Sequence, residues 1–460
     1  MLGTPFRFLQ ASDFHLHQPP FGLTEIPDHL TELLADAPYR AAARVFDLAL
    51  AEKVDFVILA GNLVDPHAAG PRGLTFLHEL FARLAERGIA VYWATSSADR
   101  RGEWPASLVW PSNVHLFRND KVERFTHSRD GEAICQIIGL SDDGLKVDSD
   151  ADHSSKSLSD NRRGLSPFAQ SSQQKGTVPL SSAGCQVGSK PLLDEFAFGA
   201  DRHFTIALLP HPLDTIAIAD LPARYWALGG AANYSTPLNL SNPQRIAHQS
   251  GSPQGCRPSE VGPHGATLVE VDAESNVRFT SLPCDVVRWH DVRVSLEVEA
   301  DRIAIDRILS EQIETLAEEG ADCTLLIRFT LSGDGLLLRD ADRTGLAGEL
   351  AATLRAKYGR HMPAVWTTAI EIEPPPIADD WLAQETLLGD FLRAAHSREH
   401  LHAEPFCLQA YMSERQLAGP LGAICNVADP GERRSVLRQA AALGADLLLP
   451  EAAAIKEPSR

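Results

Sequence analysis

The chain has 460 residues, 44% apolar and 22% charged, a globular composition too long for one ordinary core. Acids outnumber bases 61 to 42, and the net charge of −19 opposes avid, unaided binding to a phosphate backbone. No run of about 18 apolar residues lacks charge, which excludes an expected membrane-spanning helix. The opening apolar run, Phe6 to Ala11, is too short for a signal peptide, and the seven cysteines are scattered with no CxxC pair. A reducing, cytoplasmic setting is the expectation.

The first 140 residues alternate between two periodicities. Phe6–Ala11 reads as a buried strand feeding a polar Ser-Asp loop. Tyr39–Glu52 carries apolar residues at helical spacing, Val54–Ala60 is a second buried strand stopping at Gly61, Leu74–Arg87 is a second amphipathic helix, and Ile89–Ala94 is a third strand. Strand, helix, strand, helix, strand is the order of a sheet covered by helices, with ligands at the carboxyl ends of its strands. From 142 to 190 Ser-rich, weakly apolar sequence reads as a disordered surface insertion. Phe204–Leu209 and Tyr225–Leu228 follow as short strands, and Ala266–Val271 with Val277–Ser281 as a hairpin. Beyond them come a strand (Val292–Val298), a helix (Asp301–Glu319), a strand (Thr324–Leu331), a helix (Leu346–Tyr358) and a strand (Ala364–Ile372). Pro374-Pro375-Pro376 breaks the chain before helices at Trp381–Ala395 and around Gly431–Leu443. The domain expectation is 1–285, then 286–373, then a helical segment, 374–460.

Asp13-Phe14-His15 ends the first strand, where an Asp oxygen and a His nitrogen one residue apart can meet on one ion. The second strand runs Val57-Ile58-Leu59-Ala60-Gly61-Asn62-Leu63-Val64-Asp65. With these, FRFLQASDFHL, FVILAGNLVD, GIAVYWATSSADR, FTIALLPHPLD, ARYWALGGAANY and GSPQGCRPSEVGPHGATLVEVD resemble, in order, the motif blocks of calcineurin-like metallophosphoesterases, specifically the SbcD-like DNA-repair exonuclease branch. LLIRFTLSG is similar to their capping domain, and the similarity covers about residues 5–395. The resemblance implies an α/β fold: a metallophosphoesterase-type β-sandwich flanked by helices, with a smaller α+β capping domain. It also implies divalent metal, manganese by family habit, a coiled-coil repair ATPase as partner, and a homodimer.

The departures fall on the implied metal ligands. In the family two cations about 3.5–4 Å apart clamp a phosphodiester and activate a water. The bridging carboxylate position holds Asn62, the Asn ligand and proton-donating His positions hold Ser97 and Ala98, and the two late histidine positions hold Gly230 and Ala232. Asp13 and His15 remain; His211 remains on one alignment, though Pro210 fits the same place. A residual Asp13, His15, His211 set would hold at most one weakly bound ion. No catalytic residue is assigned.

Other features carry less. His17, His29, His67 and His78 are read as ordinary polar residues rather than recruited ligands, and Trp226 and Trp366 as core. Arg83, Arg87, Arg100 and Arg101 read as solvated surface. Gly70-Pro71-Arg72-Gly73 lacks phosphate-loop spacing, and no Gly-x-Ser-x-Gly elbow is present. The expectation is a non-catalytic member of the exonuclease family with a structural or regulatory role and weak or absent DNA binding. Two rivals stay open: a weak single-metal phosphodiesterase, and a nucleic-acid-binding module without chemistry.

Overall fold

Five consecutive apolar residues, Phe56–Ala60, are buried on both faces, as a strand in the middle of a covered sheet requires. The computed structural model describes residues 3–100, 104–105, 107–117, 121–141, 203–213, 218, 221–235, 238–240, 245–320, 322–333, 338, 345–373, 379–400, 413 and 430–448. The Ser-rich segment expected at 142–190 lies outside them. The chain divides into two units, Met1–Trp289 with Asp322–Thr324, and His290–Ala321 with Leu325–Arg460.

The first unit runs β1 (Phe6–Ala11), α1 (Asp28–Ala51), β2 (Phe56–Ala60), α2 (Pro66–Ala85), β3 (Ala90–Ala94), β4 (Val114–Phe117), β5 (Glu123–Arg129), β6 (Glu132–Gly139), β7 (Phe204–Leu209), β8 (Tyr225–Leu228), β9 (Leu238–Asn239), β10 (Ile246–Gln249), β11 (Gly265–Val271) and β12 (Val277–Pro283). Two six-stranded sheets result, ordered β12-β11-β1-β2-β3-β4 and β5-β6-β7-β8-β10-β9. β1 to β4 are parallel, as are β6, β7, β8 and β10, so both sheets aim carboxyl ends toward loops that can meet.

Strand alternation sorts each apolar run between two cores. Phe8, Phe56, Ile58 and Tyr92 from the first sheet pack with Ile137, Ile206, Tyr225 and Ile246 from the second. There Phe8 stacks on Phe56 at 5.1 Å and meets Tyr225 edge-on at 5.4 Å. Leu9, Val57, Leu59 and Trp93 face the other way, onto Val45, Phe46, Leu77 and Phe81 of α1 and α2. Ile138, Leu209 and Leu228 join the buried Trp226 in a third cluster outside the second sheet. The α/β sandwich with flanking helices is therefore the observed architecture.

One polar residue crosses the inner core. Gln10 is fully buried, accepts a hydrogen bond from the Tyr225 hydroxyl at 2.5 Å and donates to the His248 carbonyl at 3.1 Å. It links the two sheets and leaves neither amide atom unpaired. A second buried amide, Gln254, accepts from the Val286 and Val287 N–H groups and donates to the Val287 carbonyl at 2.6 Å. It fastens the loop before β11 to the chain after β12.

Two helix starts differ from the sequence reading, and several strands were absent from it. α1 begins at Asp28, with Pro38 inside it, rather than at Tyr39. α2 begins at Pro66: Asp65 accepts hydrogen bonds from the N–H groups of His67 and Ala68, which caps a helix kinked at Gly70 (φ 60°). β4, β5, β6, β9 and β10 were not read from the sequence. β4, β9 and β10 span only two to four residues, and β5 is largely exposed, so apolar periodicity does not mark them.

The second unit holds most of a three-stranded sheet ordered β13 (Val287–Ser295), β14 (Thr324–Ser332), β15 (Val365–Ile372), with α3 (Arg302–Glu319) and α4 (Leu346–Tyr358). β13 starts five residues before the expected Val292. Ile305, Leu309 and Ile313 of α3, and Leu350 and Leu354 of α4, are buried. Trp366, read as core, is half-buried on β15 with the Arg355 guanidinium 4.9 Å from its ring. Farther on come α5 (Asp379–Leu382), α6 (Leu387–His400) and α7 (Pro430–Leu448), with Leu388 and Leu392 packed on Ala441 and Ala445. Among the described residues no helix is long and apolar enough to cross a membrane.

His248 gives the first unit a pH dependence. Its ring is 1% exposed, bonds to the Thr267 hydroxyl at 2.9 Å and packs on Phe279; burial pushes its pKa down to about 4. A histidine whose folded pKa is depressed binds its proton more readily unfolded. Its contribution is complete above about pH 6.5 and is lost as the pH falls toward 4. Urea unfolding is expected to lose on the order of 2–3 kcal/mol between pH 7 and 4 from this group. The His248→Gln variant should show a flatter pH profile; identical profiles for the two proteins would remove this assignment.

Candidate functional site

Loops leaving the carboxyl ends of β1, β2 and β3 meet those leaving β7, β8 and β10. The chain after β1 is zipped to the chain after β2: the N–H groups of Asp13, His15 and Leu16 donate to the carbonyls of Gly61, Asn62 and Leu63 at 3.0, 3.0 and 3.1 Å. Asp13, His15 and Asn62 all adopt positive φ, at 55°, 45° and 57°. Non-glycine residues hold that conformation only when their surroundings fix it.

The fixing group is Asp99, which the sequence reading did not single out. It is fully buried in the 3-10 turn Ala98–Arg100. One carboxylate oxygen accepts from the N–H groups of Leu63 (2.7 Å) and Val64 (3.0 Å). The other accepts from the Asn62 N–H (3.0 Å) and from the Ser96 N–H (2.8 Å) and hydroxyl (2.9 Å). Burial pushes its pKa up, against those donors. Its signal was the Ser-Ser-Ala-Asp ending of the third block, in which only the substituted ligand positions drew notice.

Asp13 sits at the centre, 2% exposed. Its Oδ1 accepts from the Asn62 side-chain amide at 2.7 Å, and its Oδ2 from the Gly230 backbone N–H at 2.9 Å. Burial raises its pKa to about 6, opposed by the donors at Asn62, Ser12 and Gly230. The His15 Nε2 lies 3.8 Å from the Asp13 Oδ1. Burial, then the neighbouring His17 and Arg257, push the His15 pKa down to about 4. A neutral imidazole at that distance is a neighbour rather than an ion-pair partner.

The late loops are as tightly set. A Cβ on Gly229 would lie 1.9 Å from the Ala60 carbonyl oxygen, one on Gly61 2.5 Å from the Pro210 Cβ, and one on Gly230 (φ 77°) 2.6 Å from the Pro212 Cδ. The Ala232 carbonyl accepts from the Ser252 N–H at 2.8 Å. His211 is half-buried beside Gly230, Ser97 is exposed, and Ala98 is half-exposed at the start of the 3-10 turn. Asp13, His15, Asn62 and Gly230 are thus brought together. Among the described residues no three His, Cys, Asp or Glu side chains form a group able to hold a metal ion.

Of the other histidines, His17 sits beside His15, with ring centroids 6.1 Å apart, and the rest lie away from it. His17 accepts from the Asp65 N–H at 3.4 Å, His78 contacts the Val109 carbonyl at 3.2 Å, and His29 and His67 are exposed. Gly70-Pro71-Arg72-Gly73 forms the kink of α2, where Arg72 pairs with Asp36 at 2.7 Å. A 630 Å³ surface groove occupies the opposite end of β1, with Arg7 shared between Glu52 and Glu270, and Arg129 paired with Asp55. It lies roughly 20 Å from Asp13 along the strand.

No protein-family model matches the chain. It is similar to the uncharacterized metallophosphoesterase YhaO of Bacillus subtilis (strain 168), with 24% identity over 372 residues, 80% of this chain and 82% of that protein. Among solved structures it is similar to a dimetal phosphatase from Danio rerio LOC 393393, at 10% identity and a TM-score of 0.37, over 60% of this chain and 99% of that one. The likeness to YhaO supports a place in the metallophosphoesterase superfamily.

The residues present do not fit the two-cation centre that superfamily implies. A bridging ligand needs lone pairs facing both ions; Asn62 turns its amide N–H toward Asp13 and so donates where it would have to accept. The Asp13 oxygens are already engaged by that amide and by Gly230.

Asp99 supplies a direct test of how this loop is held. In Asp99→Asn an NH2 group must face backbone donors that now meet an oxygen. Urea denaturation should show a loss of about 3 kcal/mol. An unchanged midpoint would mean that the 62–64 loop keeps its shape without the carboxylate.

Proposed function

We propose that the chain is a non-catalytic metallophosphoesterase-fold protein of the DNA-repair exonuclease type, acting as a structural or regulatory subunit. The observation that carries this is the Asp13 carboxylate, bonded through both oxygens to groups of the protein itself where a metal ligand would stand open. A hydrolytic metal site keeps about three protein ligands and an open position for water. Here the other ligand positions are Asn62, Ser97, Gly230 and Ala232, with Ala98 in the place of the proton donor.

The assignment to the exonuclease branch is supported by motif order and by the Gln254-Gly255 block, whose buried Gln254 amide bonds to the Val286 N–H and the Val287 carbonyl. By the same resemblance the partner is a coiled-coil repair ATPase, and the net charge of −19 fits a subunit that leaves DNA contact to others. Failure of the full chain to co-elute with such an ATPase at micromolar concentration would remove that partner.

The activity reading has its own measurement. The purified full-length protein, supplied with manganese, is expected to hydrolyse neither a plain phosphodiester nor DNA ends above the no-protein rate. Turnover that is present in the native chain and abolished in Asp13→Ala would overturn the reading and favour a single-metal phosphodiesterase built on Asp13 and His15.

A further inference from the structure

We propose that Asn62 is a built-in replacement for a cation: its side-chain N–H, with the Gly230 backbone N–H, clasps the Asp13 carboxylate and fastens the loops after β1, β2 and β8 without metal. The inference rests on the non-catalytic reading of the same site and adds to it what the substituted residue does. A carboxylate that is 2% exposed needs compensating partners, and burying it without them is costly. The partners are both short, at 2.7 and 2.9 Å, and they come from different sheets: β2 leads to Asn62, and β8 leads to Gly230. The clasp therefore spans the sandwich at the end where the two sets of parallel strands open.

The backbone is shaped for it. Asn tolerates the φ of 57° at position 62 better than most residues, and from that conformation the amide reaches the Asp13 Oδ1. Glycine at 230 permits the φ of 77° that aims its N–H at the Oδ2. An aspartate at 62 would instead set two carboxylates face to face at about the present 2.7 Å, with the His15 Nε2 3.8 Å away. Two carboxylates and an imidazole make a donor set for a divalent cation. One substitution should thus exchange a metal-free clasp for a metal-requiring one.

The test is thermal unfolding of the full chain, followed by circular dichroism in EDTA and in manganese. The native midpoint is expected to be the same in both. Asn62→Ala should lower it by roughly 3–6 °C, again in both. Asn62→Asp should lie at least as low in EDTA and rise toward the native midpoint in manganese. If Asn62→Asp does not fold in EDTA, its soluble yield with and without manganese becomes the readout, and equal yields count against the proposal. The exchanged pair, Asp13→Asn with Asn62→Asp, rebuilds one amide-to-carboxylate bond and should recover part of the loss in EDTA. Native-like midpoints for Asn62→Ala, or an Asn62→Asp midpoint indifferent to manganese, would overturn the clasp. Neither result touches the non-catalytic reading, which stands or falls on hydrolysis.

Discussion

The crevice end of this protein is organised around the buried carboxylate of Asp99. Three successive backbone N–H groups, from Asn62, Leu63 and Val64, converge on its two oxygens together with the N–H and hydroxyl of Ser96. Five donors from two loops compensate a charge that water cannot reach. The result is a fixed turn after β2 rather than a mobile loop. Everything nearer the crevice inherits that turn: the left-handed backbone at Asn62, the zipper to Asp13 and His15, and the direction of the Asn62 amide.

Charge explains how Asp13, Asn62 and Gly230 fit together. A crevice built to hold two divalent cations needs several anionic or lone-pair groups pointed at one spot, and those groups repel or desolvate one another when no cation is present. In this chain the buried Asp13 carboxylate stands at that spot, met by the Asn62 amide and the Gly230 N–H among its donors. Gly230 does more than lack an imidazole. Its positive φ and its approach to Pro212 leave no room for a side chain, so a histidine there would need the β8 loop rebuilt.

The sandwich was legible in the sequence wherever a segment is buried on both faces. Phe56–Ala60 and Tyr225–Leu228 are continuous apolar runs, and Phe204–Leu209 is broken only by Thr205, because helices or irregular segments cover the outside while the opposing sheet covers the inside. β5 and β9 escaped because their side chains are largely exposed, so apolar content does not mark them. The starts of α1 and α2 escaped because Pro38 and the Gly70-Pro71 pair look like breaks, whereas both are absorbed within helices. At the site, Asp13, His15, Asn62 and Gly230 were found by comparing residue types with a motif. Asp99 was not, because its role is to accept backbone N–H groups, and those carry no mark in the sequence.

The same contrast separates the two kinds of acid in the crevice. Asp99 bonds to backbone donors, which no point substitution of the loop it holds can remove, apart from proline. Asp13 takes side-chain as well as backbone donors, the Asn62 amide at 2.7 Å among them, so its environment can be changed by a single residue. The scaffold that shapes the crevice is thus insulated from drift at the ligand positions, while the chemistry of the crevice is not. The residue at 62 decides what Asp13 is paired with, while the backbone bonds to Asp99 hold the turn that presents it. A fold whose loop geometry is set one layer behind its ligands can keep its architecture after the ligands change. That layering lets the strands and turns stand around a centre whose donor set does not suit two cations.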